Sequence, residues 1–284
     1  MKEEPQSNWL YDFIRTPLEE IADEQRLDLQ CTDKYAVRKQ AIVVFVVAAL
    51  MLTMRDEAYR MQIDDLLNSS EVYRGNLPTS CNLAIDKLVS PENLQLSRLA
   101  IWSLWQFLTY ALVPILVIKF VLGGSVRDYG MKLRGVFSGC WIYLVMYLMI
   151  LPLILLASSS ASFQHTYPFY KPEPISADLP PGYMPRFWIW QCFYALQFIS
   201  LEFFFRGFML HGMKRQLGTY SIFMMTIPYC MIHFGKPLPE TLGAIVAGLV
   251  LGFMSLKTRS IWMGAALHIA VAITMDFAAL YQRL

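Results

Sequence analysis

"RFWIWQCFYALQFISLEFFFRGFMLH", from Arg186 to His211, is the stretch whose reading decides the fold. After its first residue, Arg186, only Glu202 and Arg206 carry a full charge, and the rest is dominated by Phe, Trp, Tyr, Leu and Ile. A helix crosses the hydrocarbon core of a bilayer with about 20 such residues, so this run is long enough to span. The wider composition agrees with that reading. The chain has 284 residues, of which 56% are hydrophobic and only 16% charged, against about 25% charged in a soluble domain. Mean hydropathy is +0.39. The missing charge is concentrated in apolar runs at roughly 40–55, 98–122, 136–157, 186–211, 219–234, 241–256 and 260–281. Backbone groups in lipid must pair within their own segment, which favours helices. The expected fold is therefore all-α, a polytopic membrane bundle with about seven transmembrane helices. The first, fifth and sixth runs are short and need flanking residues or surrounding helices to complete them.

Residues 1–39 are polar and form an N-terminal cytosolic segment. In it "TPLEE" from Thr16 has the form of a capping box with proline at the first helical position, which predicts a short amphipathic helix starting there. Residues 40–284 form the membrane domain, with 56–97 an extramembrane loop segment. "SPENLQL" (90–96) predicts a helix start leading into the second span. The Pro-rich and aromatic segment 158–186 is expected to be an irregular loop on the membrane surface. Lys34, Arg38, Lys39, Arg127, Lys132, Arg134, Lys214, Arg215, Lys257 and Arg259 all fall on one side of the bundle if the N-terminus is cytosolic, and the positive-inside rule favours that orientation. The expected location is the bacterial inner (cytoplasmic) membrane, with the lipid bilayer as the surroundings. A net charge of +2 gives no support to a nucleic-acid partner. The five cysteines show no CxxC and no metal-ligand spacing, so neither a metal nor another cofactor is expected.

Ionisable residues within the spans are costly and are functional candidates by default. With those near the ends of the runs, such as Lys119, set aside, they are Glu202 and Arg206 in the fourth run, His233 in the fifth, and His268 and Asp276 in the seventh. Glu202 and Arg206 are one turn apart, the spacing of an intrahelical ion pair, and such a pair can simply neutralise itself. Counted at 1.5 Å per residue from their cytosolic ends, Glu202, His233 and His268 lie about 15, 21 and 14 Å deep. One carboxylate and two imidazoles can thus meet inside the bundle. A carboxylate paired with histidine can take a proton from water, and a second imidazole can donate to a developing oxyanion.

Three stretches, "LEFFFRG" (201–207), "YCMIH" (229–233) and "HIAVA" (268–272), occur in this order on the fourth, fifth and seventh apolar runs. They resemble EExxxR, FxxxH and HxxxN of the CAAX-protease and bacteriocin-processing (CPBP, or ABI) family of glutamic intramembrane endopeptidases, and the resemblance covers about 185–275. "RDYGMKLR" (127–134) has the look of bacterial members. The resemblance implies an endopeptidase in which Glu activates water and histidines assist, without a metal, acting on a membrane-associated protein or peptide. It maps catalytic roles onto Glu202, His233 and His268 and a supporting role onto Arg206. The sequence departs from the pattern at three positions. Leu201 stands where the family has its first Glu, usually given the role of base, and Ala272 stands where Asn is common. Tyr229 replaces Phe. Asp276, one turn beyond Ala272, can partly replace the missing amide, or it can be a residue near the outer interface. Leu201 and Ala272 favour an alternative, a catalytically inactive member acting as a scaffold or binding protein. A proton-coupled permease lacks the inverted repeats and paired broken helices it would need. Zinc hydrolysis lacks HExxH.

Overall fold

The computed structural model describes residues 9–31, 33–60, 80, 83, 86–87, 90–133, 136–137, 139–172 and 179–283. Among them are nine helices and no strand. They are α1 (Trp9–Cys31), α2 (Lys34–Arg60), α3 (Leu94–Val121), α4 (Cys140–Ser158), α5 (Ala161–Thr166), α6 (Tyr183–Leu217), α7 (Tyr220–Met231), α8 (Leu238–Thr258) and α9 (Trp262–Tyr281). Six of these (α2, α3, α4, α6, α8 and α9) are long and apolar enough to cross a membrane. The chain is an integral membrane protein of helical class, as its apolar runs imply. The first and sixth runs are completed by flanking residues. The fifth becomes α7, only 12 residues long and hence about 18 Å, short of the about 30 Å core. It is covered by neighbours instead, packing against α8 and the second half of α6.

Contacts divide the chain into two compact units. One comprises Met1–Ala48, Val117–Ser138 and Glu202–Gly264, and the other Ala49–Leu116, Gly139–Leu201 and Ala265–Leu284. In the first unit α1 is longer than the capping box predicts. It runs from Trp9 with Pro17 in its interior. Phe13, Leu18 and Ile21 recur at helical spacing across the proline, and packing of that stripe extends the helix back beyond the local start signal. Ile21 is buried, and Phe13 lies 6.2 Å from the ring of Phe253 on α8. The hairpin of α7 and α8 packs closely because Gly248 and Gly252 have no side chains. A Cβ on Gly248 would lie 2.7 Å from Thr226, and one on Gly252 would lie 3.0 Å from Met225.

The core of the second unit is aromatic. Tyr183, Phe187, Trp190, Tyr194 and Phe198 follow one face of α6 and are buried with Ala272 and Leu280 of α9. The segment expected to lie on the membrane surface turns inward here. Phe163 and Tyr167 are buried against Ala278 and Ala279, and Tyr170 stacks on Tyr183 at 5.2 Å. Aromatic side chains bury too much area to be left outside when a partner face exists. The helix announced by Ser90 and Pro91 starts at Leu94, after a turn in which Leu94 N donates to Ser90 O at 2.9 Å. Most of the predicted loop segment 56–97, namely 61–79, 81–82, 84–85 and 88–89, lies outside the described residues.

Candidate active site

Glu202 is the last residue of the first α-helical part of α6. The nine residues Phe203–His211 after it form a π-helix. Such widened turns are rare and recur at functional sites, because shifting each hydrogen bond to the fifth residue displaces side chains and main-chain groups from their usual register. The Glu202 Oε1 and Arg206 Nη1 atoms are 3.0 Å apart, with side-chain exposures of 0% and 1%. At that burial neither charge is tolerable alone, so each requires the other. Arg206 also donates through Nη2 to the carbonyl of Ala247 at 3.4 Å. Its guanidinium carbon lies 3.8 Å from the ring centre of Tyr229, a desolvated cation–π contact.

Tyr229 carries the cluster on to His233, whose ring meets it edge-on at 4.8 Å. His233 Nδ1 lies 2.8 Å from the Tyr229 carbonyl oxygen. A carbonyl only accepts, so Nδ1 bears the proton, and in the neutral ring Nε2 presents its lone pair. His233 lies just beyond the last turn of α7, and its own carbonyl accepts from Thr241 Oγ1 at 2.9 Å. Glu202, Arg206 and His233 therefore belong to one buried cluster of the first unit, joined through Tyr229.

Two glycines make room for this arrangement. A Cβ on Gly264, in the first turn of α9, would lie 3.2 Å from Glu202 Oε2. The carboxylate thus occupies space beside a helix N-terminus, where negative charge is favoured. A Cβ on Gly207 would fall 2.7 Å from the Tyr129 carbonyl oxygen and 2.9 Å from the Phe203 ring, so the residue after Arg206 must be glycine for the 126–129 turn to seat against α6. Ser255 of α8 donates to the carbonyl of Arg206 at 3.4 Å and lies 3.2 Å from His211 Nε2, serving one of the main-chain groups of the widened turn.

The other candidates belong to the second unit. The ring of His268 is 4.4 Å from that of Phe198. Asp276 is fully buried and accepts from Phe169 N at 3.1 Å, Gln191 Nε2 at 2.8 Å and Trp190 Nε1 at 3.4 Å. Its carboxylate is committed to tying α9 to α6 and to the segment before it. Leu201 and Ala272, at the positions of the departing motif residues, are 4% and 3% exposed. Among the described residues no three His, Cys, Asp or Glu side chains gather closely enough to hold a metal ion.

One family model spans both the buried Glu–Arg turn and the buried histidine at the end of the next helix. Residues 184–274 match the Rce1-like family model, type II CAAX prenyl endopeptidase Rce1-like. The Rce1-like match covers all three motif stretches and agrees with the resemblance drawn from them. It supports a CAAX-type intramembrane protease fold for this part of the chain. No curated protein and no solved structure matches the chain. The matched segment takes in Tyr229, Ser255 and Gly264, which sequence reasoning did not place at the site. The signal for Gly207 is visible in hindsight, as a glycine directly after an intramembrane arginine. Nothing local marks Ser255 or Gly264, because their roles arise only once α8 and the start of α9 pack beside α6.

Proposed function

We propose that the chain is an intramembrane endopeptidase that hydrolyses a peptide bond of a membrane-associated protein or peptide. It would act in a bacterial inner membrane with its N-terminus in the cytosol. The observation that supports this reading best is the buried cluster in which the Glu202 carboxylate and the His233 imidazole are joined through Arg206 and Tyr229. In this mechanism Glu202 takes a proton from a water molecule while the water oxygen attacks the scissile carbonyl carbon. Arg206 fixes the carboxylate through Oε1, and His233 orients the water through Nε2. The family resemblance assigns to His268, in the second unit, donation to the oxyanion that develops on the carbonyl. When the C–N bond breaks, the proton held by Glu202 passes to the leaving amine. Asp276 acts at a distance from the chemistry, by positioning α9 and therefore His268.

A second reading, an inactive member serving as a membrane scaffold or binding protein, is favoured by Leu201 and Ala272, both buried apolar residues at motif positions that carry Glu and Asn in the family. One experiment separates the two. Purified protein is incubated with a quenched peptide library, alongside Glu202→Gln, His233→Ala and His268→Ala. Loss of a catalytic acid or base lowers rate by about 10²–10⁴-fold, so cleavage by the parent protein and its loss in Glu202→Gln and His233→Ala is the expected result. Absence of cleavage by the parent leaves the scaffold reading, and undiminished cleavage in the variants moves the site elsewhere.

A further inference from the structure

The first unit holds a second feature that peptide hydrolysis does not use. A cavity of about 480 Å³ opens where the 126–129 turn meets the ends of α2, α3, α6 and α8. Six cationic side chains line it, Lys39, Arg127, Lys132, Lys214, Arg215 and Arg259, against the single carboxylate of Asp128. All six lie on the face that the Lys and Arg distribution assigns to the cytosol. Three are held from behind by α1. Lys214 pairs with Glu24 at 3.4 Å, Arg215 with Asp28 at 3.0 Å, and Arg259 with Glu24. Among the described residues, no carboxylate lies within ion-pair distance of Lys39, Arg127 or Lys132. Six cations against Asp128, Glu24 and Asp28 leave an excess of three positive charges, two of them from Lys39, Arg127 and Lys132 set against Asp128.

The cavity is built rather than accidental. Its 126–130 wall is stitched to the α8–α9 connection, since Ile261 N donates to Gly130 O at 3.0 Å and Ser260 Oγ donates to Lys132 O at 3.1 Å. Arg259 closes α8 in the left-handed conformation, at φ 54°. Glycine is the ordinary residue there, and a non-glycine residue in that region is uncommon. The Arg259 guanidinium there lines the cavity and pairs with Glu24. Tyr129 lines the floor, and burial pushes its phenol up to about 12, so it adds a neutral hydroxyl and no negative charge. Val121 and Leu122 give one side an apolar wall.

We propose that this cavity binds a phosphate anion, as the headgroup of an anionic phospholipid or as free phosphate. Several guanidinium and ammonium groups converging on one small volume suit phosphate oxygens, and basic pockets on the cytoplasmic face of a membrane protein recognise anionic headgroups. Binding does not require peptidase activity and is tested separately from it.

The full chain in a neutral detergent is titrated calorimetrically with inorganic phosphate and, separately, with short-chain phosphatidylglycerol, using short-chain phosphatidylcholine as the zwitterionic reference of zero net charge. Lys39→Gln, Arg127→Gln and Lys132→Gln remove cations that support no ion pair among the described residues, so the fold is kept. Lys34→Gln is the control outside the cavity. Saturable binding that weakens by about fivefold for each of the three cations removed, and not for Lys34→Gln, is expected. Binding of phosphatidylglycerol alone assigns the site to a lipid headgroup, and binding of inorganic phosphate with equal strength assigns it to the free anion. If neither binds above the phosphatidylcholine reference, or if the three substitutions change binding no more than Lys34→Gln does, the proposal is overturned.

Discussion

At the scale of single residues, the Glu202–Arg206 pair serves two ends that can be pulled apart. Both side chains are buried, at 3.0 Å. Removing one charge strands the other, which destabilises a fold by about 3–5 kcal/mol, whereas replacing both by apolar residues of similar volume is often neutral. Glu202→Leu combined with Arg206→Met should therefore unfold close to the parent temperature, while Glu202→Leu alone unfolds well below it. The proposed mechanism requires both proteins to lack cleavage. A double variant that stays folded but still cleaves would remove Glu202 from the chemistry. This pair was fully legible in the sequence, because charge in an apolar run with four-residue spacing has few explanations. The cation–π contact of Arg206 with Tyr229 was not. It needs α7 to fold back beside α6, and Tyr229 reads locally as one more apolar residue.

At the scale of elements, close approach of backbones fixes which glycines can change. Gly207 faces the carbonyl of Tyr129, which cannot move without the turn it belongs to, and a Cβ there would sit at 2.7 Å. Gly207→Ala is expected to destabilise the protein by about 1–3 kcal/mol, the usual range for overpacking. Gly243 on α8 has no atom within 4 Å of the position a Cβ would take. Gly243→Ala should raise stability by up to about 1 kcal/mol through helix propensity. Thermal unfolding of both variants in one detergent checks the contrast, and equal shifts would refute it. The six long helices were legible from apolar runs alone. The π-helix of α6 was not, since no residue pattern distinguishes it from the α-helix before it. The length of α1 was misread because Pro17 signals a start locally, while the contact of Phe13 with Phe253 is long-range.

At the scale of the whole molecule, neither compact unit is a continuous piece of chain. The proposed orientation places Cys31, at the end of α1, in the cytosol and Cys81, in the 56–97 segment, on the opposite side. In single-cysteine versions expressed in intact cells, a membrane-impermeant maleimide should label Cys81 and spare Cys31 until the membrane is opened. The reverse pattern would invert the topology. The interleaving itself was hidden from sequence reading, which sees neighbours along the chain and not across it. Tyr129 and Gly207 are one such pair of distant neighbours. Residue 129 lies well before the family-matched segment 184–274, and residue 207 lies within it. Anyone trimming this protein to its recognisable portion, or transplanting that portion into another scaffold, would leave a notch in α6 with nothing to fill it. The smallest transferable piece must bring the 126–130 turn along.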